Sequence, residues 1–462
     1  MTTLDQVSDW IEQQFPKLLA EHDVPGAAIA VAVGDEVVDG GSGVLSLATG
    51  VDVNADTLFQ IGSITKVWTT TLVMQLVDEG LVDLDAPVQR YLPDFTVADK
   101  DAAAVMTVRQ LLDHTAGFEG DIFTDTGPGD DAIEKFVATL GNTAQLFPPG
   151  ERFSYNNAGF CVLGRIVEVV RGTTFDAALR ERLFQPLGLT HAATDANQAI
   201  LHRAAVGHIR PNADAELVPA PIWSLVRSNA PAGAMLSMRP RDLLAFARMH
   251  VAGGTAADGT QVLSAESVAA MQQSQVTLPD LGMMGDEWGL GWEIFRMGGT
   301  TVIGHDGGTI GQSAFLRIVP EKGVAVALLT NGGNTMGLYR AVFEHLLREV
   351  ADLELKTLPV PPESPEQIDA TRFLGTYSCD VVDVEVAQDG DGRIWMTETP
   401  KGIFVELGGE VERTELVHLR DDTLIAVKAD RGMHVATAFV GDDGDGHALY
   451  AHSGRAIRRA GA

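Results

Sequence analysis

The stretch Leu358-Pro359-Val360-Pro361-Pro362-Glu363-Ser364-Pro365 constrains the fold more than any other segment. Proline fixes φ and has no amide hydrogen, so a run this rich in it extends no helix and pairs into no sheet. Residues 358–365 therefore read as a stiff linker between two units, 1–357 and 366–462. The length of 462 residues also exceeds one ordinary core.

The first unit mixes periods. Residues 4–21 carry apolar positions at helical spacing, and Pro25-Gly26 breaks the pattern. Ala27 to Val33 reads as a buried strand, Gly34-Asp35-Glu36 as a turn and Val37-Val38 as the start of a second strand. Ile64 to Val77 has helical length, with Ser63 at its start. From about 100 to 290 the pattern is mostly helical, broken by loops such as Asp121 to Asp131. Strands return at Thr301–Ile303, Ala314–Val319 and Val324–Leu329, followed by a helix around Gly337 to Val350. Strands at both ends with helices between predict one α+β domain whose sheet joins both ends around a helical insertion.

Beyond the linker, short alternating runs predict an antiparallel sheet or small barrel: Val382–Val386, Arg393–Thr397, Ile403–Leu407, Thr423–Val427 and Val435–Val440. The turns Asp389 to Gly392 and Asp442 to Gly446 resemble calcium loops only in composition. Neither supplies the bidentate Glu such a loop needs, so both read as hairpin turns.

Charge and cysteine content exclude several functions. With 63 acidic against 33 basic residues the net charge is −30, which repels nucleic acid and anionic membranes and favours solubility. It would also draw in amine-bearing substrates. Cys161 and Cys379 fall in different units, so neither a disulfide framework nor a cysteine metal site is expected. Cys161 reads as a small core residue. The N-terminus shows no secretory pattern, and the apolar run near Gly26 to Val33 is too short to span a bilayer, so the expected location is cytoplasmic.

Three segments carry chemistry. Ser63-Ile64-Thr65-Lys66 is the one Ser-x-x-Lys in the chain. Helical spacing of three puts the amine on the hydroxyl's face, and a lysine with a lowered pKa can take a serine proton. The alternative is a surface lysine after a capping serine, against which the apolar flanks Phe59 to Gly62 and Val67-Trp68 argue. Tyr155-Asn156-Asn157 offers a phenol to relay a proton and an amide to hold a substrate, or else a polar loop with a capping Asn. Gly304-His305-Asp306-Gly307-Gly308 offers backbone amides for an oxyanion, or else a Gly-rich hairpin turn. No Gly-Lys-Ser/Thr follows it, which rules out a phosphate loop.

In this order the three segments resemble the penicillin-binding-protein and serine β-lactamase family, in the branch of class C β-lactamases, D-amino-acid-specific peptidases and esterases. The resemblance runs from about residue 10 to 350. It includes Leu111 to Gly117, Leu163-Gly164-Arg165, Pro186 to Leu189 and Gly289 to Trp292. It implies an α+β, β-lactamase/transpeptidase-like domain: an antiparallel sheet flanked by helices plus a helical subdomain. Phe373 to Tyr377 resembles the opening of the lipocalin-like domains appended to some family members.

The resemblance further implies Ser63 as nucleophile, Lys66 as base and Tyr155 as proton shuttle. Asn157, His305 and Gly307 would bind substrate, and the backbone N–H groups of Ser63 and Gly308 would form the oxyanion hole. His114 would be structural. The family's β-lactamases carry Lys-Thr-Gly where this chain has His305-Asp306-Gly307, which points toward peptidases and esterases. The expected activity is hydrolysis of an ester, amide or short peptide through an acyl-enzyme, without metal or cofactor. Acyl transfer to an alcohol or amine, weak β-lactamase activity and a silent binding role are the alternatives. Neither nucleic acid nor membrane is an expected partner, and a homo-oligomer is allowed.

Overall fold

The computed structural model describes residues 3–212, 215–402, 405, 409–430 and 432–461. Helices α1 (Leu4–Gln13) and α2 (Phe15–Glu21) open the chain. The main sheet comprises β1 (Gly26–Val33), β2 (Glu36–Gly43), β3 (Val276–Thr277), β4 (Glu287–Trp288), β5 (Glu293–Met297), β6 (Thr300–Thr309), β7 (Gln312–Val319) and β8 (Val324–Thr330). Their spatial order is β2-β1-β8-β7-β6-β5-β4-β3, so both ends of the first unit meet at the β1–β8 pair. Every pairing between these neighbours is antiparallel.

The sheet is covered on both faces, which explains why β1 is buried almost throughout. Ala28, Ala30 and Ala32 face the helical core around Trp68 and Phe246, on α3 (Thr65–Asp78) and α5 (Pro240–Val251). Ala27, Ile29 and Val31 face α1, α2 and the C-terminal helix α6 (Thr335–Ala351). A further helix, α4 (Asn157–Arg171), packs on α3. The span 100–290, which reads as mostly helical, also contributes sheet-packing α5 and edge strands β3 and β4.

The second unit is a closed antiparallel barrel of eight strands among the described residues: β9 (Gly375–Ser378), β10 (Val382–Gln388), β11 (Ile394–Pro400), β12 (Glu412–Arg420), β13 (Thr423–Ala426), β14 (Ala436–Val440), β15 (Tyr450–His452) and β16 (Ala456–Arg459). It closes through Tyr377 opposite Arg459. Closure removes the sheet's free edges. The expected strand Ile403–Leu407 lies outside the described residues apart from Val405.

The barrel is docked, not tethered. Tyr450 and Ala456 share an apolar cluster with Leu146 and Phe147. Leu281 packs with Ile425, Ala436 and Ala438. Beside this second patch, Arg420 Nη2 pairs with Asp280 Oδ2 at 2.8 Å.

Candidate active site

The serine and lysine share one short stretch of chain. Gly62–Ile64 forms a single 3₁₀ turn that runs into α3, and Gly62 holds it open at φ +51. Lys66 is fully buried. Its Nζ lies 3.0 Å from Ser63 Oγ and donates to the Ala232 carbonyl at 2.7 Å. Burial brings its pKa down to about 7; Arg455 pushes the same way, and Cys161 and Asp121 oppose. A neutral amine can still donate to Ala232 while its lone pair faces the serine. Turnover that depends on this base is expected to rise about tenfold per pH unit below about 7 and to level above it, because only the unprotonated amine accepts the Ser63 proton. A kcat/KM profile from pH 5 to 9 checks this.

Tyr155 closes the other side. Lys66 Nζ sits 4.7 Å from its ring centroid. Burial drives the phenol's pKa far upward, and a hydrogen bond with Ser63 only partly offsets this, so the group stays protonated at neutral pH. His114 packs against it with the rings tilted by 32° and their centroids 4.4 Å apart, and is itself fully buried, in left-handed backbone at φ +61. Its Nδ1 accepts from the Asn156 amide at 2.9 Å, and burial holds the ring neutral. His114 thus buttresses the tyrosine.

The neighbouring asparagines divide their labour. Asn156 is the N-cap of α4, its Oδ1 accepting from Gly159 N at 2.7 Å. Asn157 begins the helix, and its Nδ2 donates to Asp121 Oδ1 at 2.6 Å. Arg455, from the turn between β15 and β16, pairs with Asp121 Oδ2 and reaches Oδ1 at 3.4 Å. Its guanidinium lies 5.0 Å from the Tyr155 ring centroid. The turn is pinned by Tyr155 N donating to Gly454 O at 3.1 Å and Ala456 N to Ser154 Oγ at 3.1 Å.

Gly304 to Gly308 lies inside β6 and not in a hairpin turn, so that reading is corrected. The glycines permit backbone-to-backbone contact: a Cβ on Gly307 would stand 2.0 Å from Ile61 O and 3.0 Å from Ser63 N. A Cβ on Gly62 would stand 2.6 Å from Gly308 N. The backbone around the Ser63 amide therefore lies directly against that around the Gly308 amide. Gly308 meets nothing within 4 Å on its outer side.

His305 is buried, and its ring donates from Nδ1 to its neighbour's carbonyl, Asp306 O, at 2.5 Å. Nε2 has no partner among the described residues. Burial and the nearby Lys66 hold it down at about 3, so the ring is neutral. Behind it, Arg317 grips Asp306 through two contacts of 2.6 and 3.0 Å, and burial pushes the adjacent Glu293 carboxyl upward.

Of the residues expected from the sequence, Ser63, Lys66, Tyr155, His305, Gly307 and Gly308 lie against one another, and Asn157 joins them through Asp121 and Arg455. Sequence reasoning placed no site residue in the C-terminal unit, and Arg455 lies there. Ser453-Gly454-Arg455 reads as a turn, and nothing local signals a partner more than 300 residues away. Asp121 is read only as the start of a loop, and the Ala232 carbonyl carries no sequence signal. Among the described residues, no cluster of three or more His, Cys, Asp or Glu could hold a metal, and no helix is long and apolar enough to cross a membrane.

Comparisons with known proteins bear on the family and the fold. The Beta-lactamase family profile matches residues 11–349. Penicillin-binding protein 4 of Amycolatopsis lactamdurans is 44% identical over 369 residues, covering 79% of this chain and 96% of that protein. The crystal structure of SurE superposes with a TM-score of 0.79 at 30% identity, covering 98% of this chain and 99% of SurE; SurE is also known with D-Leu. A D-amino acid amidase from Ochrobactrum anthropi SV3 superposes with a TM-score of 0.58 at 26% identity, covering 69% and 91% of the two chains.

Proposed function

This chain belongs to the Beta-lactamase family and is a serine hydrolase of that family, and within it we propose that it cleaves an ester or amide of a D-configured aminoacyl group through an acyl-enzyme on Ser63. The 3.0 Å contact between Ser63 Oγ and a buried, easily deprotonated Lys66 carries this reading. Ser63 Oγ forms a bond to the substrate carbonyl carbon as its proton passes to Lys66. The carbonyl oxygen becomes an oxyanion between the amides of Ser63 and Gly308. The bond to the leaving group then breaks, and Tyr155 supplies its proton, replenished from Lys66. Water repeats the sequence on the acyl-enzyme, releasing the acid and free Ser63. The D-configuration rests on the two neighbours whose names carry a D-amino acid.

The neutral His305 stands where the family's β-lactamases carry a lysine, so it offers no cation for a β-lactam carboxylate. Slow β-lactam turnover is the expected consequence.

The experiment is a panel of D- and L-aminoacyl esters and amides with a chromogenic β-lactam, read for product and intact protein mass. An acyl adduct on the Ser63 peptide, formed faster from D- than from L-substrates, is expected. Product without an adduct, or an adduct elsewhere, overturns the reading. Added amine that captures the acyl group in place of water would assign acyl transfer instead.

A further inference from the structure

Asp121 is buried at the meeting point of three elements, and nothing in the reaction above uses it. A carboxylate only accepts hydrogen bonds. The 2.6 Å contact therefore fixes which way the Asn157 amide faces: Nδ2 toward Asp121, Oδ1 away from it. Oδ1 has no hydrogen bond among the described residues, nor is it among their sealed-in polar atoms. It is thus an open acceptor at the start of α4, two residues after Tyr155. Arg455 holds the other side of the carboxylate, and two backbone-anchored bonds of the β15–β16 turn hold Arg455 in place.

We propose that Asp121, braced by Arg455 of the barrel, is a positioning residue that turns Asn157 into a hydrogen-bond acceptor, so that the site selects acyl groups carrying an amide N–H. The inference rests on the acyl-enzyme reading above. An N-acylated or peptidyl aminoacyl group supplies that N–H beside the reacting carbonyl; a simple fatty acyl group does not. An unpaired Asp121 would be a costly buried charge, and Arg455 removes that cost from the far domain. A neutral residue at 121 would let the amide turn over and offer Nδ2 instead.

The test compares an N-acetyl-D-aminoacyl ester with its N-methyl counterpart, which differs by loss of the one donor hydrogen. Wild type is expected to prefer the N–H ester about 10- to 100-fold in kcat/KM, the range for a hydrogen bond in a desolvated site. Asp121→Asn and Asn157→Ala should each bring that ratio to within about threefold of unity, and the double variant should go no further. Labelling of Ser63 by a small fluorophosphonate reports folding and nucleophile activation in every variant. A ratio that survives Asp121→Asn, or a loss equal for both esters, overturns the proposal. Should Asp121→Asn fail to fold, wild type and Asn157→Ala still decide: no N–H preference in the first, or a full one in the second, overturns it. Absence of Ser63 labelling in wild type would instead defeat the acyl-enzyme reading.

Discussion

Ser63→Ala is expected to lower kcat by about 10⁴- to 10⁶-fold, with Lys66→Ala and Tyr155→Phe each losing several orders of magnitude. On the proposed reading the three groups act as one proton path: Lys66 Nζ lies 3.0 Å from Ser63 Oγ, and the Tyr155 ring centroid lies 4.7 Å from that nitrogen. Once one link is broken, the others have no proton to move. The Lys66→Ala/Tyr155→Phe double variant should therefore be little worse than the poorer single variant. Losses that multiply would show two independent roles. No Gly-x-Ser-x-Gly elbow exists elsewhere in the chain, so labelling by a fluorophosphonate is expected to vanish completely with Ser63→Ala. Single-turnover kinetics with an activated D-aminoacyl ester measures each loss.

The legible parts of this site are those in which a short spacing carries the geometry. Ser63 and Lys66 are three residues apart on consecutive turns, so the helix itself brings amine to hydroxyl. Tyr155 and Asn157 flank a helix start marked by a capping Asn; the cap is Asn156, while the Asn157 side chain donates to Asp121. The glycines of 304–308 were legible as a place of close backbone approach but not as a strand. Glycine weakens strand patterning, and only the Ile61–Ser63 turn across the way shows what needs the space.

Other parts are set by distant packing. Sheet strands such as Ala27–Val33 show in the sequence because they are continuously apolar. The edge strands at 276–277 and 287–288 are two residues each and carry no period at all. Strands Glu412–Arg420 and Tyr450–His452 are rich in polar or short residues, and barrel closure holds them. Ion pairing between Asp121 and Arg455 leaves no trace in either local segment, because two domains must first dock to create it.

That docking leads to the second large expected effect. Read from sequence alone, a chain cut near Val360 keeps an intact catalytic core, with the C-terminal unit either covering the active-site mouth and setting substrate choice or mediating assembly. In the structure the unit is a wall of the site. Ending the chain at Thr357 removes Arg455 from Asp121, Gly454 O from the Tyr155 amide and Tyr450 from the Leu146 carbonyl. It also removes His452 from the Phe153 carbonyl, so the segment 146–155 that carries the phenol loses most of its outer partners. Leu146, Phe147 and Leu281 become exposed apolar surface, which lowers solubility and stability. Loss of a charge-assisted partner at a buried carboxylate alone corresponds to about 10- to 100-fold. The truncated chain should therefore fall at least that far in kcat/KM for a short acyl ester as well as a long one, with a lower Tm. A lid would behave otherwise: the short ester would be unaffected and the long one faster. Arg455→Met in the full chain separates the two contributions, since it leaves the apolar docking in place. It should reproduce much of the rate loss with little change in Tm, and a variant at wild-type rate would confine the barrel's role to holding the segment 146–155 in shape.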